Sequence, residues 1–219
     1  MRIKFITPNT VAQRKEPDPI TGSNRRIPCL ELSIPNRNSR FRNNCQIWIM
    51  HNTAYFHPFL KVHVWFNNRA KDFFDVSWDT KLSHLWDTAS GLSGIHKKSI
   101  IHRDFHSGNI LINNGWISIG DLGLSKSATE ADDNEIYGII PYMAPEVLQG
   151  QTYTEKSDIY SFGMIMWECM TGRRPFWDRA HDTELIIDIC DGLRPPIGDI
   201  VAPEGYIELM KECWDSDPK

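Results

Sequence analysis

The clearest regular element of the chain is an apolar stripe with helical spacing. In SWDTKLSHLWDTASGLSGIHKKS, which begins at Ser77, apolar residues recur at the spacing of one helix face. This pattern predicts a long amphipathic helix with Ser77 as its N-cap, because a serine oxygen can accept a hydrogen bond from a free amide of the first turn. We expect the stripe to pack in the core; it consists of Trp78, Leu82, Leu85, Trp86, Ala89, Leu92 and Ile95.

A β-hairpin is predicted downstream of this helix. The β-rich runs ILI (110–112) and WISI (116–119) are separated by NNG, and an Asn-Gly pair between short apolar runs is a strong hairpin signal. Antiparallel pairing would bring the beginning of the first run close to the end of the second. We therefore expect Asn109 and Asp121, which flank the two runs, to face one site.

Asn109 and Asp121 together offer oxygen ligands of the kind that Mg2+ prefers. A Mg2+ ion commonly takes one or two ligands from the protein and completes its shell with phosphates and water. Each residue alone is also a common turn residue at a strand end. The metal interpretation therefore depends on what else lies nearby.

Length and composition limit the class of protein. With 219 residues, 41% of them hydrophobic, the chain suffices for one domain or for most of a two-lobed one. The longest apolar runs are broken by polar residues and Pro58, so no transmembrane helix is expected, and Pro8 and Asn9 interrupt the basic start before a secretory signal could form. Five scattered cysteines without a C-x-x-C pair indicate reduced thiols, which predicts a cytoplasmic location, with the nucleus as the alternative.

Charge divides the chain into two parts. Residues 1–71 carry 12 Lys and Arg against 3 Asp and Glu, a net charge of +9, whereas the remainder carries −13. The first part is also rich in Asn, Arg and Pro, which is typical of loops and disorder. We therefore predict two units, residues 1–75 and residues 76–219. A basic segment can also bind nucleic acid or another anionic surface, but without a nucleic-acid-binding motif this is the least favoured hypothesis.

Four motifs follow one another in the second unit. They are His102-Arg103-Asp104 with Asn109, then Asp121-Leu122-Gly123, then Ala144-Pro145-Glu146, and then SDIYSFGMIMWECMTGRRPF. In this order they resemble the protein kinase family, which has a catalytic loop H-R-D-x-x-x-x-N, a D-F-G metal site and a downstream A-P-E. The resemblance covers residues 77–219 and implies an α+β fold, mainly the helical C-terminal lobe of a kinase with a short β-hairpin at the metal site. Two stretches, SDIYSFG and MWECMTG, are similar to tyrosine-kinase-like serine/threonine kinases.

The resemblance also implies roles for individual residues. Asp104 would be the base that accepts the proton of the substrate hydroxyl, while Asn109 and Asp121 would hold Mg2+ ions that bridge the phosphates of ATP. His106 stands where serine/threonine kinases have a lysine that contacts the phosphate, and it would be a weaker, pH-dependent cation.

Regulation is implied for the segment from Asp121 to Glu146. Arg103 resembles an arginine that, in family members, pairs with a phosphate or an acidic residue of this segment. Candidate phosphate acceptors for a regulatory kinase are Ser125, Ser127, Thr129 and Tyr137, beside the acidic run EADDNE. The alternative for any one of these hydroxyls is an ordinary solvated loop residue.

Three further residues are expected to support the site without taking part in the chemistry: His102, Asp158 and Glu146. The arginine that pairs with Glu146 in the family would lie beyond Lys219, and a buried carboxylate that loses its partner costs about 3–5 kcal/mol. Two residues depart from the family pattern. Leu122 replaces the phenylalanine of D-F-G, and Ile139 replaces a threonine that faces the catalytic aspartate.

The small lobe of a kinase has no recognisable counterpart in the sequence. Gly22 is the only glycine before Gly91, so no glycine-rich loop is present, and prolines separate the candidate pair Lys15 and Glu31. Lys61 lies in a strand-like pattern too close to the predicted helix. The sequence therefore predicts a protein kinase with an incomplete domain, which uses ATP, Mg2+ and a protein substrate but has little activity as written. The alternative is a pseudokinase or scaffold that binds partners through the large lobe.

Overall fold

The computed structural model of the chain describes residues 63–64, 76–113, 116–128 and 136–215. The predicted unit 1–75 falls almost entirely outside these ranges. Several other predictions also concern residues outside them, namely those for Lys15, Glu31, Lys61, Thr129 and the acidic run 130–135.

The helix predicted after Ser77 is present as α1, Trp78–His96. The Ser77 side chain accepts a hydrogen bond from the Thr80 amide at 3.3 Å, so the predicted N-cap is confirmed. One face of α1 is buried at steps of four and three residues, which is the period of a helix face. This face includes Lys81, Leu85, Thr88, Leu92 and Ile95.

Part of the predicted apolar stripe of α1 lies outside the core. Leu82 and Trp86 expose 39% and 71% of their surface, so the prediction that they pack in the core is wrong. Each of them follows a buried residue, Lys81 or Leu85, by one position. One position is a rotation of about 100° around a helix, which turns these two side chains away from the buried face.

The predicted hairpin is present within a small antiparallel sheet. The strands in the described ranges are β1 (His63–Val64), β2 (Ile100–Ile101), β3 (Ile110–Asn113), β4 (Trp116–Ile119) and β5 (Lys126–Ser127). β3 pairs with β4 on one side and with β1 on the other, while β2 and β5 form a separate pair. Asn113 lies opposite Trp116, so it belongs to the strand rather than to the turn in which the sequence placed it.

Four helices follow the sheet. They are α2 (Pro145–Leu148), α3 (Glu155–Thr171), α4 (Thr183–Cys190) and α5 (Tyr206–Cys213). α3 is the central one: only Glu155, Lys156 and Ile159 in it are not buried, and both α1 and α5 pack against it. Gly163 permits the contact with α5, because a Cβ there would lie 2.9 Å from Cβ of Cys213.

These elements confirm the predicted fold class, a helix-rich α+β arrangement with a few short antiparallel strands. The core runs from α1 through β3 and β4 to α3 and α5. None of the helices in the described ranges combines the length and the apolar character that crossing a bilayer requires.

Candidate active site

The loop between β2 and β3, residues 102–109, is tied to the hairpin by His102. This side chain is fully buried, its Nε2 lies 3.1 Å from the Gly120 carbonyl oxygen, and its Nδ1 lies 3.4 Å from the Asp104 amide. Burial lowers the pKa of His102, so the ring is neutral at pH 7. Nε2 then carries the hydrogen and donates a hydrogen bond to the Gly120 carbonyl, while Nδ1 accepts one from the Asp104 amide.

Asp158, in the first turn of α3, holds the beginning of the same loop. One carboxylate oxygen accepts a hydrogen bond from the His102 amide at 2.8 Å, and the other accepts one from the Arg103 amide at 3.0 Å. Nε2 of His96, the last residue of α1, lies 2.8 Å from the first oxygen. Since Asp158 is 1% exposed, these donors replace the water that the carboxylate loses. They also fix the loop to α1 and α3.

The loop needs this support because its backbone is strained at Arg103. This residue has a φ of 69°, in the left-handed region that non-glycine residues rarely adopt. The Arg103 side chain, of which 6% is exposed, lies over the ring of Tyr153. The predicted role of Arg103 in regulation remains a prediction.

Asp104 and His106 form the accessible part of the loop. Nε2 of His106 lies 3.8 Å from the Asp104 carboxylate, and both side chains are partly exposed. Nδ1 of His106 accepts a hydrogen bond from the Gly108 amide at 3.0 Å, which leaves Nε2 as the nitrogen that carries a proton. A proton donor is therefore directed at the carboxylate that the sequence assigns as the base.

Asn109 and Asp121 are brought together by the hairpin register. Ile110 pairs with Ile119, and the Gly120 amide donates a hydrogen bond to the Asn109 carbonyl at 2.8 Å. Nδ2 of Asn109 donates to the Asp104 carbonyl at 2.8 Å, so the amide oxygen is the atom left for a cation. Asp121 is exposed and has a φ of 55°.

The donor set at Asn109 and Asp121 fits Mg2+, because both residues carry oxygen atoms of the kind that this ion prefers. One Asp121 oxygen lies 3.4 Å from the Gly123 amide, and the other would be available to a cation together with the Asn109 amide oxygen. Within the described ranges, no three His, Cys, Asp or Glu side chains converge on one metal position. This differs from a closed site built from protein ligands alone.

A buried polar network below the loop was not predicted from the sequence. The Tyr142 hydroxyl donates to the Glu168 carboxylate at 2.5 Å and lies 3.4 Å from the Ser107 hydroxyl. Burial raises the pKa of Glu168 to about 7 and the pKa of Tyr142 well above its usual value. The signal that could have revealed the network is Glu168 itself, a carboxylate within the apolar run of α3.

Glu146, another predicted support, lies in the first turn of α2 and is partly buried. Its carboxylate makes no ion pair with the residues that the structure describes. Ile139 lines a small enclosed space beside Arg103 and Asp104, and Leu122 is buried in the core. The role of Glu146 as a support therefore stays a prediction.

Comparison with known proteins identifies relatives of this part of the chain. A family model described as protein tyrosine and serine/threonine kinase matches residues 47–219. The match begins thirty residues before the motif-based resemblance at residue 77, and it includes β1. It does not test the predicted boundary between residues 75 and 76.

Two relatives come from Dictyostelium discoideum. "Stress-activated protein kinase alpha" is 36% identical over 169 residues, which cover 70% of this chain and 26% of that protein. "Probable serine/threonine-protein kinase drkB" is 34% identical over 146 residues, which cover 65% of this chain and 21% of that protein. The chain thus spans about a quarter or less of the length of these relatives.

Proposed function

Because this chain belongs to the protein tyrosine and serine/threonine kinase family, we propose that residues 102–123 are the catalytic part of an enzyme that transfers the γ-phosphoryl group of ATP to a protein. Relatives named as serine/threonine kinases favour a serine or threonine hydroxyl as the acceptor over a tyrosine hydroxyl. The observation that carries the proposal is the loop geometry. One loop presents Asp104 and His106 while its end, Asn109, is held beside Asp121.

In this proposal Asp104 accepts the proton of the attacking hydroxyl. Its position is set on both sides, because its amide contacts His102 and its carbonyl accepts from Asn109 at 2.8 Å. Such fixed placement lowers the barrier by orienting the reacting groups before the reaction. Nε2 of His106 lies 3.8 Å from the same carboxylate. From this position the imidazole can also contact a phosphate oxygen.

Asn109 and Asp121 would hold Mg2+, which when bound neutralises charge on the phosphates of ATP. The chain's own part in this is to present two oxygen atoms from the two ends of one hairpin. The Gly120 amide donates a hydrogen bond to the Asn109 carbonyl at 2.8 Å. This bond joins the backbone of Asn109 to the residue that directly precedes Asp121.

The test compares phosphate transfer by two proteins. One is the 219-residue chain, and the other is a hybrid in which residues 1–75 are replaced by the small lobe of an active serine/threonine kinase.

Asp104→Asn in the hybrid should reduce transfer by about 10²–10⁴-fold and leave ATP binding nearly unchanged. Asp121→Ala should instead remove the Mg2+ dependence of ATP binding, measured by calorimetry. A loss of ATP affinity as large as the loss of rate in Asp104→Asn would contradict the base assignment.

A second candidate function is a pseudokinase that binds partners without transferring phosphate. It is favoured by one observation: a single glycine, Gly22, precedes Gly91, so residues 1–90 contain no glycine-rich loop that could cover the phosphates. We expect the 219-residue chain to transfer phosphate far more slowly than the hybrid. Turnover approaching about 1 per second, the low end for kinases, by the 219-residue chain would rule this candidate out.

A further inference from the structure

Tyr153 contacts two parts of the chain that are distant in sequence. Its hydroxyl accepts a hydrogen bond from the Tyr137 amide at 2.9 Å and donates one to the Tyr137 carbonyl. Its ring lies under the Arg103 guanidinium, whose Cζ is 4.4 Å from the ring centroid. One side chain therefore touches the catalytic loop with its face and residue 137 with its tip.

Tyr153 itself is attached to a rigid support. It precedes Thr154, which is the N-cap of α3 and forms a capping box with Ser157. One turn further along, Asp158 binds the amides of His102 and Arg103. The loop is thus held twice near the beginning of α3. The Asp158 carboxylate binds the backbone of the loop, and the Tyr153 ring contacts the Arg103 side chain.

The segment at Tyr137 passes directly over the loop. Gly138 has a φ of 139°, and a Cβ at this position would lie 3.2 Å from Met143 and 3.8 Å from the Arg103 carbonyl oxygen. Arg103, Gly138 and Tyr153 line the same narrow space. A displacement of residues 137–138 would therefore change the contacts that Tyr153 and Arg103 make.

We propose that Tyr153 is a positioning residue that couples residues 136–138 to Arg103. The hydroxyl holds the segment, the ring holds the guanidinium, and loss of either contact loosens the other. This coupling rests on the proposed function, because it assigns a regulation to the same catalytic loop.

The test uses two variants of the 219-residue chain and two NMR measurements. Tyr153→Phe keeps the ring and removes the hydroxyl, so the Tyr137 amide should exchange its hydrogen roughly tenfold faster. The Arg103 Nε–H signal should keep most of its ring-current shift in this variant and drift slightly toward the free position. Tyr153→Leu removes both contacts, so the Arg103 signal should move to the position of an unstacked arginine.

Tyr160→Phe is the matched control. Tyr160 is a buried tyrosine on α3 itself, with Arg194 over its ring at 5.0 Å, but its hydroxyl has no hydrogen-bond partner among the described residues. This variant should leave Tyr137 exchange and the Arg103 signal unchanged. The proposal is overturned if Tyr153→Phe does not accelerate Tyr137 exchange, if it leaves the Arg103 signal where it is in the parent chain, or if it accelerates exchange in α3 and α5 equally.

These measurements separate the coupling from the proposed function. Neither of them requires phosphate transfer, so an inactive chain that gives the expected exchange and shift supports the coupling and counts only against the kinase reaction. A chain that transfers phosphate but shows no effect of Tyr153→Phe supports the kinase reaction and contradicts the coupling. Because Tyr153→Phe is a conservative change, the decision does not depend on whether Tyr153→Leu folds.

Discussion

Helix α3 carries two buried carboxylates, Asp158 near its beginning and Glu168 near its end, and both are 1% exposed. Asp158 accepts hydrogen bonds from two backbone amides and lies 2.8 Å from Nε2 of His96. Glu168 is approached by hydroxyl groups, chiefly that of Tyr142. Asp158 and Glu168 are thus equally buried, but the protein gives them different hydrogen-bond donors.

This difference shows that the donors around a buried acid, and not its burial alone, decide what it can do. The two backbone amides that Asp158 binds belong to the loop of residues 102–109, so this carboxylate holds the loop to α3. Hydroxyls compensate less, so burial raises the pKa of Glu168 to about 7. Glu168 is therefore the carboxylate on α3 whose charge can change near neutral pH.

The largest expected effect comes from removing the better solvated acid. Asp158→Ala leaves two buried amides and the His96 side chain without their acceptor, and we expect a loss of about 3–5 kcal/mol in the free energy of unfolding. Urea denaturation followed by tryptophan fluorescence measures it. A loss below about 1 kcal/mol would mean that water replaces the carboxylate, and the comparison with Glu168 would fail.

The next effect is a dependence of stability on pH that Glu168 imposes. Its pKa is raised from 4.5 in the unfolded chain to about 7 in the folded one, so its contribution to stability is fully present below pH 4.5 and is lost as pH rises through 7. A shift of this size corresponds to about 3 kcal/mol. The charged and titratable groups that act on Glu168 are Arg174, His106, Tyr142 and Cys169.

Glu168→Gln isolates this contribution, because glutamine keeps the shape and the neutral state. The variant and the parent chain should have similar stability at pH 5, while at pH 8 the variant should be the more stable. Unfolding curves at both pH values test this. Equal stability of the two proteins at pH 8 would show that Glu168 is ionised in the fold without cost.

Local sequence signals predicted the parts of this region that depend on neighbours in the chain. The N-cap at Ser77 and the β3–β4 hairpin needed only a serine and an Asn-Gly pair at the right spacing. The role of Leu82 and Trp86 was misjudged, since helical spacing does not reveal which side of a broad apolar stripe a partner covers. The prediction for Asn109 and Asp121 follows from the hairpin together with motif order, and the prediction for Asp104 follows from motif order.

Two tyrosine contacts that the sequence did not predict are long-range. Tyr142 and Glu168 are separated by 26 residues, and Tyr137 and Tyr153 by 16. A tyrosine hydroxyl is compatible with core and surface alike, so no local pattern marks its partner. Such pairs are set by the packing of α3 against the segment before α2, which only the folded chain specifies.

A smaller effect is expected from the donor to Glu168. Tyr142→Phe removes the hydroxyl and leaves the carboxyl group without its shortest hydrogen bond, so we expect a loss of about 1–3 kcal/mol at pH 8 and a smaller loss at pH 5, where Glu168 is protonated. Combined with Glu168→Leu, which has no acceptor for the hydroxyl, in a double-mutant cycle, unfolding curves give the interaction energy of the pair. Additive effects of the two substitutions would contradict the hydrogen bond.

The smallest effect is expected at Ser107, where the network reaches the loop of residues 102–109. Its hydroxyl lies 3.4 Å from that of Tyr142, near the limit for a hydrogen bond, so Ser107→Ala should cost no more than about 0.5–1 kcal/mol. The variant should also make the pH step caused by Glu168 slightly larger, because the Ser107 hydroxyl lowers the pKa of that carboxyl group. Unfolding curves at pH 5 and pH 8 measure both quantities. A Ser107→Ala chain whose stability is unchanged at either pH would show that Tyr142 alone serves Glu168, and that the loop is held to α3 through Asp158 and Tyr153 without a third attachment.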